Sequence, residues 1–365
     1  MIFLFSSRTL IGKGQDFDIF KPFEDNHNIE HKSSLILAEA FRHSDNAPWV
    51  IELIDDDLMA DGDCGLACDY LINLANSIKI APDQIAPERV LIDRSARNTS
   101  DWIFYIPGYN STLKSGLERA HDLEKFYAAN IILFSWPANP SQGAISIQSK
   151  KAYRHAQKSA KIAASRLNQC LRLIQSQFVK TIDPELTDVK FNFCLLMHSL
   201  GNYVFQQSVS SLGGQDFPVQ FDNVVLHQPD VDQFEKSDFW LPESALKPGS
   251  ADQHSYYITF NEFDKILRTS ELINGPRLGT PGSVSSLERV KFIDFTKARN
   301  AAGSHFFFAG SGNNIVDLVT WRIVKSDIFT RADLLGEGVT DPPLSLGLDS
   351  GGFSLEPDTN IFVFK

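Results

Sequence analysis

The stretch Phe191-Asn192-Phe193-Cys194-Leu195-Leu196-Met197-His198-Ser199-Leu200-Gly201-Asn202-Tyr203 decides how the rest of this sequence is read. An apolar run of strand type stops abruptly at His198-Ser199-Leu200-Gly201. Helical spacing then follows through Val204, Phe205, Val209 and Leu212. A serine at a sharp corner between a buried strand and a helix is how a nucleophile elbow is built. The turn projects the hydroxyl above the sheet, and the helix N-terminus behind it favours negative charge. Such a corner wants small residues two positions before and after the serine, because strand and helix backbones nearly touch there. Gly201 meets the second requirement; Met197 does not meet the first. A serine helix cap with a packing glycine is the competing reading of these residues alone. The decision rests on whether the chain also supplies a base, an acid and an oxyanion site in a workable order.

Working outward, the flanking sequence becomes regular. Residues 102–106 form an apolar strand that ends in Pro107-Gly108-Tyr109-Asn110-Ser111-Thr112, and an amphipathic helix follows over 113–127. Residues 130–136 are another buried strand, closed by Pro137 and Pro140, and 149–178 carry Ala, Leu and Ile at the spacing of one long helix. After the elbow, strands are expected at 222–227, 255–260 and 290–295, with a closing helix at 313–325. Before it, 2–6 and 49–54 read as strands, 33–41 and 64–78 as helices, and 89–92 follows the breaks at Pro82 and Pro87. The tail from Asp341 is rich in Pro, Gly and Ser and ends in an apolar run at 360–364 with the pattern of an edge strand. Apolar strands alternating with helices of ten or more residues call for an α/β fold, a mostly parallel central sheet with helices on both faces. Its chemistry belongs at the C-terminal strand ends, where the loops gather. One core over 99–330, an N-terminal section over 1–98 that adds first strands, and a tail over 331–365 packed on the core is the simplest organisation.

Composition narrows the function. The 365 residues are 43% hydrophobic and 22% charged, enough for a large core. A formal charge of −11 argues against a nucleic-acid or anionic-membrane partner, whose phosphates would be repelled. The use of 28 Phe against 8 Tyr and 5 Trp points to a large apolar interior. Four cysteines form no framework. Cys64 and Cys68 lie one helical turn apart, Cys170 sits in a helical stretch and Cys194 in the strand before the elbow, so they read as buried free thiols. A zinc site at Cys64 and Cys68 would need two further ligands that are not nearby. Asp55, Asp56, Asp57, Asp61 and Asp63 lack the spacing of a calcium loop and read as a turn capping the helix that follows. No run approaches the roughly 18 apolar residues of a membrane span. The first residues have no basic region ahead of their short apolar run. A cytoplasmic location is the expectation, with no metal and no cofactor; the sequence leaves the oligomeric state open.

With its strands placed, the chain resembles the α/β-hydrolase superfamily. It is most similar to a largely bacterial branch once catalogued as a domain of unknown function. That branch shows a strand ending in His-Gly-Tyr-Asn, a strand ending in Ser-Trp-Pro, and an elbow of the form Ala-His-Ser-Met-Gly-Asn. The counterparts here are Pro107-Gly108-Tyr109-Asn110, Ser135-Trp136-Pro137 and Met197-His198-Ser199-Leu200-Gly201-Asn202. The turn Pro229-Asp230-Val231-Asp232, the pair Asn261 and Asp264 before Arg277-Leu278-Gly279, and the late His305 also match. The resemblance spans about residues 102–308. It departs from the branch at Pro107, which replaces the histidine of the oxyanion loop, and at Met197, which replaces a small residue.

On this reading Ser199 is the nucleophile, since an unactivated hydroxyl needs a positioned base and the corner exposes it for one. The base is a histidine on a loop beyond the last strands. His254 precedes its strand and lies at the wrong edge, and His227 comes before any candidate acid, which leaves His305. His198, next to the nucleophile, points elsewhere and suits a structural hydrogen bond. Asp264 matches the branch's turn and completes the order Ser, Asp, His; Asp230, Asp232 and, inside a strand, Asp294 are its rivals. Asp230 and Asp232 also suit a Pro-initiated turn. The oxyanion donors would be the N–H of Leu200 and an N–H of the Gly108-Tyr109 loop. Gly310-Ser311-Gly312 reads as a helix cap rather than a second nucleophile. The function implied is a serine hydrolase forming an acyl-enzyme on a small-molecule ester or thioester. The alternative is a non-catalytic α/β-hydrolase fold used for binding or assembly, motivated by Met197 and Pro107. Residues 141–147, 234–248 and 275–284, with Phe239 and Trp240, are the expected rims of a pocket.

Overall fold

The computed structural model describes residues 2–10, 20–21, 35–45, 47–55, 65–79, 101–138, 150–182, 191–233, 240–250, 253–282, 289–298, 304–306, 308–309, 314–324, 353–355 and 361–364. The N-terminal elements are β1 (Ile2–Ser6), β2 (Thr9–Leu10), β3 (Phe20–Lys21), β4 (Ile36–Phe41), β5 (Val50–Asp55) and α1 (Gly65–Lys79). The central run is β6 (Asp101–Ile106), α2 (Leu113–Tyr127), β7 (Asn130–Ser135), α3 (Lys150–Leu173), a wider π-helical stretch at Ile174–Val179, α4 (Lys180–Ile182), β8 (Asn192–His198) and α5 (Gly201–Ser211). Then come β9 (Asn223–His227), β10 (Tyr256–Phe260), α6 (Lys265–Asn274), β11 (Val290–Asp294), α7 (Asn314–Val324), β12 (Phe353–Leu355) and β13 (Ile361–Phe364).

Eleven of these strands form one sheet in the order β12-β13-β11-β10-β9-β8-β6-β7-β1-β4-β5, and β2 pairs with β3 in a separate ribbon. From β13 to β1 every neighbouring pair is parallel; β12, β4 and β5 are added antiparallel at the two sides. Every residue of β6, β8, β9 and β10 is buried, as a sheet covered on both faces requires. Alternate side chains divide between two cores. Phe3, Phe104, Phe134, Leu195 and Val224 face α1, α3 and α5, while Leu4, Tyr105, Leu133, Leu196 and Val225 face α2 and α7. Because the central strands are parallel, their C-terminal ends share one edge, and the loops after β6, β7, β8, β9 and β10 gather there.

Three expectations change. Residues 33–41, rich in Leu, Ala and Glu, read as a helix by propensity, yet β4 is a strand paired between β1 and β5. The pairing and the burial of Leu37, Ala38 and Ala40 outweigh the local preference. The terminal apolar run, expected as an edge, is the penultimate strand β13, seated against β11 with β12 outside it. Cys68 is disulfide-bonded rather than a free thiol, so the cysteines give no support to a reducing compartment; Cys170 and Cys194 are free and buried. The stretches 89–92 and 141–147 lie outside the described residues, as does Gly310-Ser311-Gly312. Asp55, the last residue of β5, accepts the Ala67 N–H at 3.3 Å in the first turn of α1, and Asp56, Asp57, Asp61 and Asp63 lie outside the described residues. Among the described residues no helix is long and apolar enough to cross a membrane, and no cluster of His, Cys, Asp or Glu could hold a metal.

Trp102 ties the N-terminal section to the core. Its buried ring lies 5.3 Å from Phe3 and 4.8 Å, edge-on, from Phe178. Trp102→Ala removes both contacts and leaves a cavity in the core. Urea denaturation of the variant should show a loss of about 3–5 kcal/mol.

Candidate active site

The corner at Ser199 has the geometry of an elbow. Ser199 sits at φ 52°, a left-handed backbone that a non-glycine residue adopts only under constraint. That constraint is visible. Its N–H donates to the His227 carbonyl at 3.0 Å, and its own carbonyl accepts the N–H groups of Asn202 (3.1 Å) and Asp230 (3.2 Å) and the Asn202 side chain (2.9 Å). Gly201 must be glycine for a second reason. A Cβ there would lie 2.6 Å from the Ile106 carbonyl oxygen and 2.7 Å from that of Pro107. The same squeeze governs Gly108, whose added Cβ would lie 2.7 Å from the Ser199 Cβ. The Gly108-Tyr109 loop and the elbow are thus in close contact, the added Cβ also lying 2.9 Å from the His198 carbonyl oxygen.

The two departures from the family pattern find places. Met197 is fully buried in register with Ile106, and its unbranched, adaptable chain packs within the core on the α5 side of the sheet. Pro107 offers its carbonyl to the Trp136 indole N–H at 2.8 Å, which links the loop to the Ser135-Trp136-Pro137 strand end. A third strand end joins them. Arg8, buried just after β1, donates from Nε to Ser135 Oγ at 2.8 Å and from Nη2 to the Ser111 carbonyl at 2.7 Å. Burial lowers its pKa to about 10.

On the other side of Ser199, Asp264 and His305 come together, with Nδ1 of the imidazole 2.6 Å from Oδ2 of the carboxylate. Asp264 is fully buried and is also the N-cap of α6, its Oδ1 accepting the N–H groups of Ile266 (2.9 Å) and Leu267 (3.0 Å). One oxygen caps a helix while the other faces the histidine. The segment carrying His305 is held from several directions. His198 Nε2 meets the His305 carbonyl at 2.9 Å, so the structural hydrogen bond foreseen for His198 is made to the segment that carries the candidate base. The Arg119 guanidinium lies 3.7 Å above the Phe306 ring, and Ala309 N–H donates to the Tyr127 hydroxyl at 3.0 Å. The His198 and His305 rings are 4.8 Å apart between centroids. Among the described residues, the Ser199 hydroxyl, His305 Nε2 and the N–H groups of Leu200 and Tyr109 have no hydrogen-bond partner.

The rival residues are engaged elsewhere. Asp230 is buried and accepts from Tyr153 Oη (2.9 Å), Ser270 Oγ (2.6 Å) and Arg277 Nε (2.9 Å), and Asp232 also pairs with Arg277. Asp294 accepts the Thr296 N–H at 2.8 Å. His227 faces Thr259 Oγ1 at 2.8 Å inside the sheet, and His254 meets the Asp222 carbonyl at 3.0 Å, at the opposite edge. Trp240 packs on Phe205 at 5.9 Å as part of the core wall, while Phe239 lies outside the described residues. Sequence reasoning missed α6 altogether. An Asp before an apolar-periodic run and Gly275 after it were the available start and stop signals. Tyr153 and Arg8 carried no signal, since their roles depend on partners far along the chain.

Strand order, a serine at a strand-to-helix corner and an acid–histidine pair after later strands define this as an α/β-hydrolase fold. A family model described as alpha/beta hydrolase of unknown function (DUF900) matches residues 84–322, more than half of the chain, and the protein belongs to that family. No curated protein matches the sequence. Among solved structures, carboxyl esterase 2 from the mycorrhizal fungus Tuber melanosporum is similar at 15% identity and TM-score 0.34, over 63% of this chain and 78% of that one. An arylesterase is similar at 11% identity and TM-score 0.29, over 64% and 78%. Lipase B of Aspergillus fumigatus is similar at 12% identity and TM-score 0.35, over 68% and 60%.

Burial pushes His198 and His227 well below the ordinary imidazole pKa, and the neighbouring histidines act in the same direction. Both rings stay neutral in the folded protein, whereas in the unfolded chain they protonate near pH 6.5. The unfolded state therefore binds more protons as pH falls. Their contribution to stability is complete above about pH 6.5 and is lost below it, by up to about 1.4 kcal/mol per pH unit for each ring. Urea denaturation from about pH 8 to pH 5 should show this slope. His227→Gln should reduce it by one proton.

Proposed function

We propose that this protein is a serine hydrolase that forms an acyl-enzyme on Ser199 and acts on an ester or thioester of a small or medium acyl group. The contact between Asp264 Oδ2 and His305 Nδ1, beside a serine at positive φ, carries this reading. With Nδ1–H donated to Asp264, His305 keeps its Nε2 lone pair as the acceptor for the Ser199 proton. Ser199 Oγ then bonds to the acyl carbon while the proton moves to Nε2, and Asp264 stabilises the resulting imidazolium. The negative charge on the acyl oxygen falls to the free N–H groups of Leu200 and Tyr109, with Gly108 letting that loop approach. One such donor is worth about 3 kcal/mol in the transition state.

As the intermediate collapses, the bond to the leaving oxygen or sulfur breaks, and His305 returns the proton to that atom. A water molecule, deprotonated by the same nitrogen, then releases the acid and restores Ser199. An ester or thioester asks least of such a site, because an alkoxide or thiolate is far less basic than an amide anion and leaves with less help from the His305 proton.

A fluorophosphonate probe should label the wild-type protein and fail to label Ser199→Ala, with short-chain nitrophenyl esters turned over by the former alone. Asp264→Asn should lower turnover by about 10⁴-fold, since it favours the wrong tautomer of His305. It should also lower stability, because an amide caps α6 without the carboxylate's charge. Folded wild-type protein that neither takes the probe nor turns over esters would overturn the proposal in favour of a fold used for binding or assembly.

A further inference from the structure

Between the elbow and the acid lies a buried side chain that neither role accounts for. Gln228 follows β9 directly, has no exposed surface and sits at φ 45°. A left-handed backbone suits glycine or asparagine; glutamine gains nothing from it locally. The conformation is enforced from both sides. The Gln228 N–H reaches the Thr259 carbonyl at 3.2 Å and Thr259 Oγ1 at 3.3 Å. From the other side the loop after α6 presses on it closely enough that a Cβ on Gly279 would lie 2.8 Å from the Gln228 carbonyl carbon. Strain of this kind persists where the surroundings over-determine a position, and it concentrates at functional sites.

The conformation aims the side chain at the acid. Its amide satisfies both neighbours in one orientation only: the nitrogen donates to Asp264 Oδ2 at 2.9 Å, and the oxygen accepts the Asn261 N–H at 3.2 Å. Asp264 Oδ2 is the oxygen that faces His305 Nδ1. The buried carboxylate thus receives two backbone N–H groups on Oδ1, and the imidazole and the Gln228 amide on Oδ2. Without the amide, Oδ2 would keep one donor in a site closed to water, and the carboxylate could rotate about the axis that its helix cap leaves free.

We propose that Gln228 is a positioning residue for the catalytic acid. It fixes the plane of the Asp264 carboxylate so that Oδ2 is presented to His305 Nδ1–H, and it acts on the reaction only through that pair. This rests on the assignment of Asp264 and His305 under the proposed function, so the test has one readout that depends on turnover and one that does not.

The second readout is the low-field proton resonance of His305 Nδ1–H, assigned by its loss in His305→Gln. In Gln228→Met, which keeps the side-chain length but has no donor, this resonance should move upfield or broaden. The turnover number for a nitrophenyl ester should fall about tenfold, as for the loss of one hydrogen bond to a charged group, with KM unchanged. Gln228→Gly relieves the positive φ, which offsets part of what the lost amide and the emptied space cost, and should show the same spectral change. It therefore answers the question even if the methionine variant folds poorly. A resonance unmoved in the folded variants would overturn the inference and leave Gln228 as a strand-end packing residue. A resonance that moves in a protein with no turnover would uphold the inference and reject the proposed hydrolase function instead.

Discussion

One buried carboxylate joins the fold to the candidate site. Asp264 caps α6 through Oδ1 and meets His305 through Oδ2, so the start of a helix and the orientation of an imidazole depend on the same group. A carboxylate with no exposed surface is tolerable only when donors replace its water, and here a helix N-terminus, an amide and an imidazole do so. Geometry and desolvation are settled together. The rigid attachment to α6 is what lets a side chain on a loop hold a fixed position.

The parallel sheet explains why so many partners are within reach. Strand ends that share one edge bring Arg8, Pro107, Trp136, Ser199, Gln228 and Asp264 into a chain of contacts running across the sheet. Backbone approaches at Gly108 and Gly201 lock the middle of that chain. On the flank, Tyr153, Ser270 and Arg277 gather around Asp230, whose N–H in turn holds the Ser199 carbonyl. That network removes Asp230 from competition as an acid and makes it a brace for the elbow.

Much of this was legible in the order of residues. Runs such as Asn192 to Met197 and Tyr256 to Phe260 have the length and residue types of strands covered on both faces, and helices between such strands call for parallel crossovers. The helix over 113–127 and the corner at Ser199 follow from local pattern. Residues 33–41 failed because helix propensity is a weak local term, while the partners that make β4 a strand lie elsewhere in the chain. The start of α6 is masked in the sequence because one carboxylate, that of Asp264, serves both as helix cap and as partner of His305. Gln228 carried no sequence signal, since nothing local explains a glutamine at positive φ.

The sequence by itself determined the alternation of buried strands and helices, the glycines on which the elbow depends, and the order of a corner serine, several candidate aspartates and a late histidine. These are matters of period, backbone sterics and residue type, which neighbours along the chain express. Only the tertiary structure decided which aspartate meets His305 and which is bound to Arg277, where Met197 and Pro107 find room, and what Gln228 faces. Each of those turns on distances of about 3 Å between residues tens to hundreds of positions apart, and hydrogen bonds at that range are set by the folded sheet.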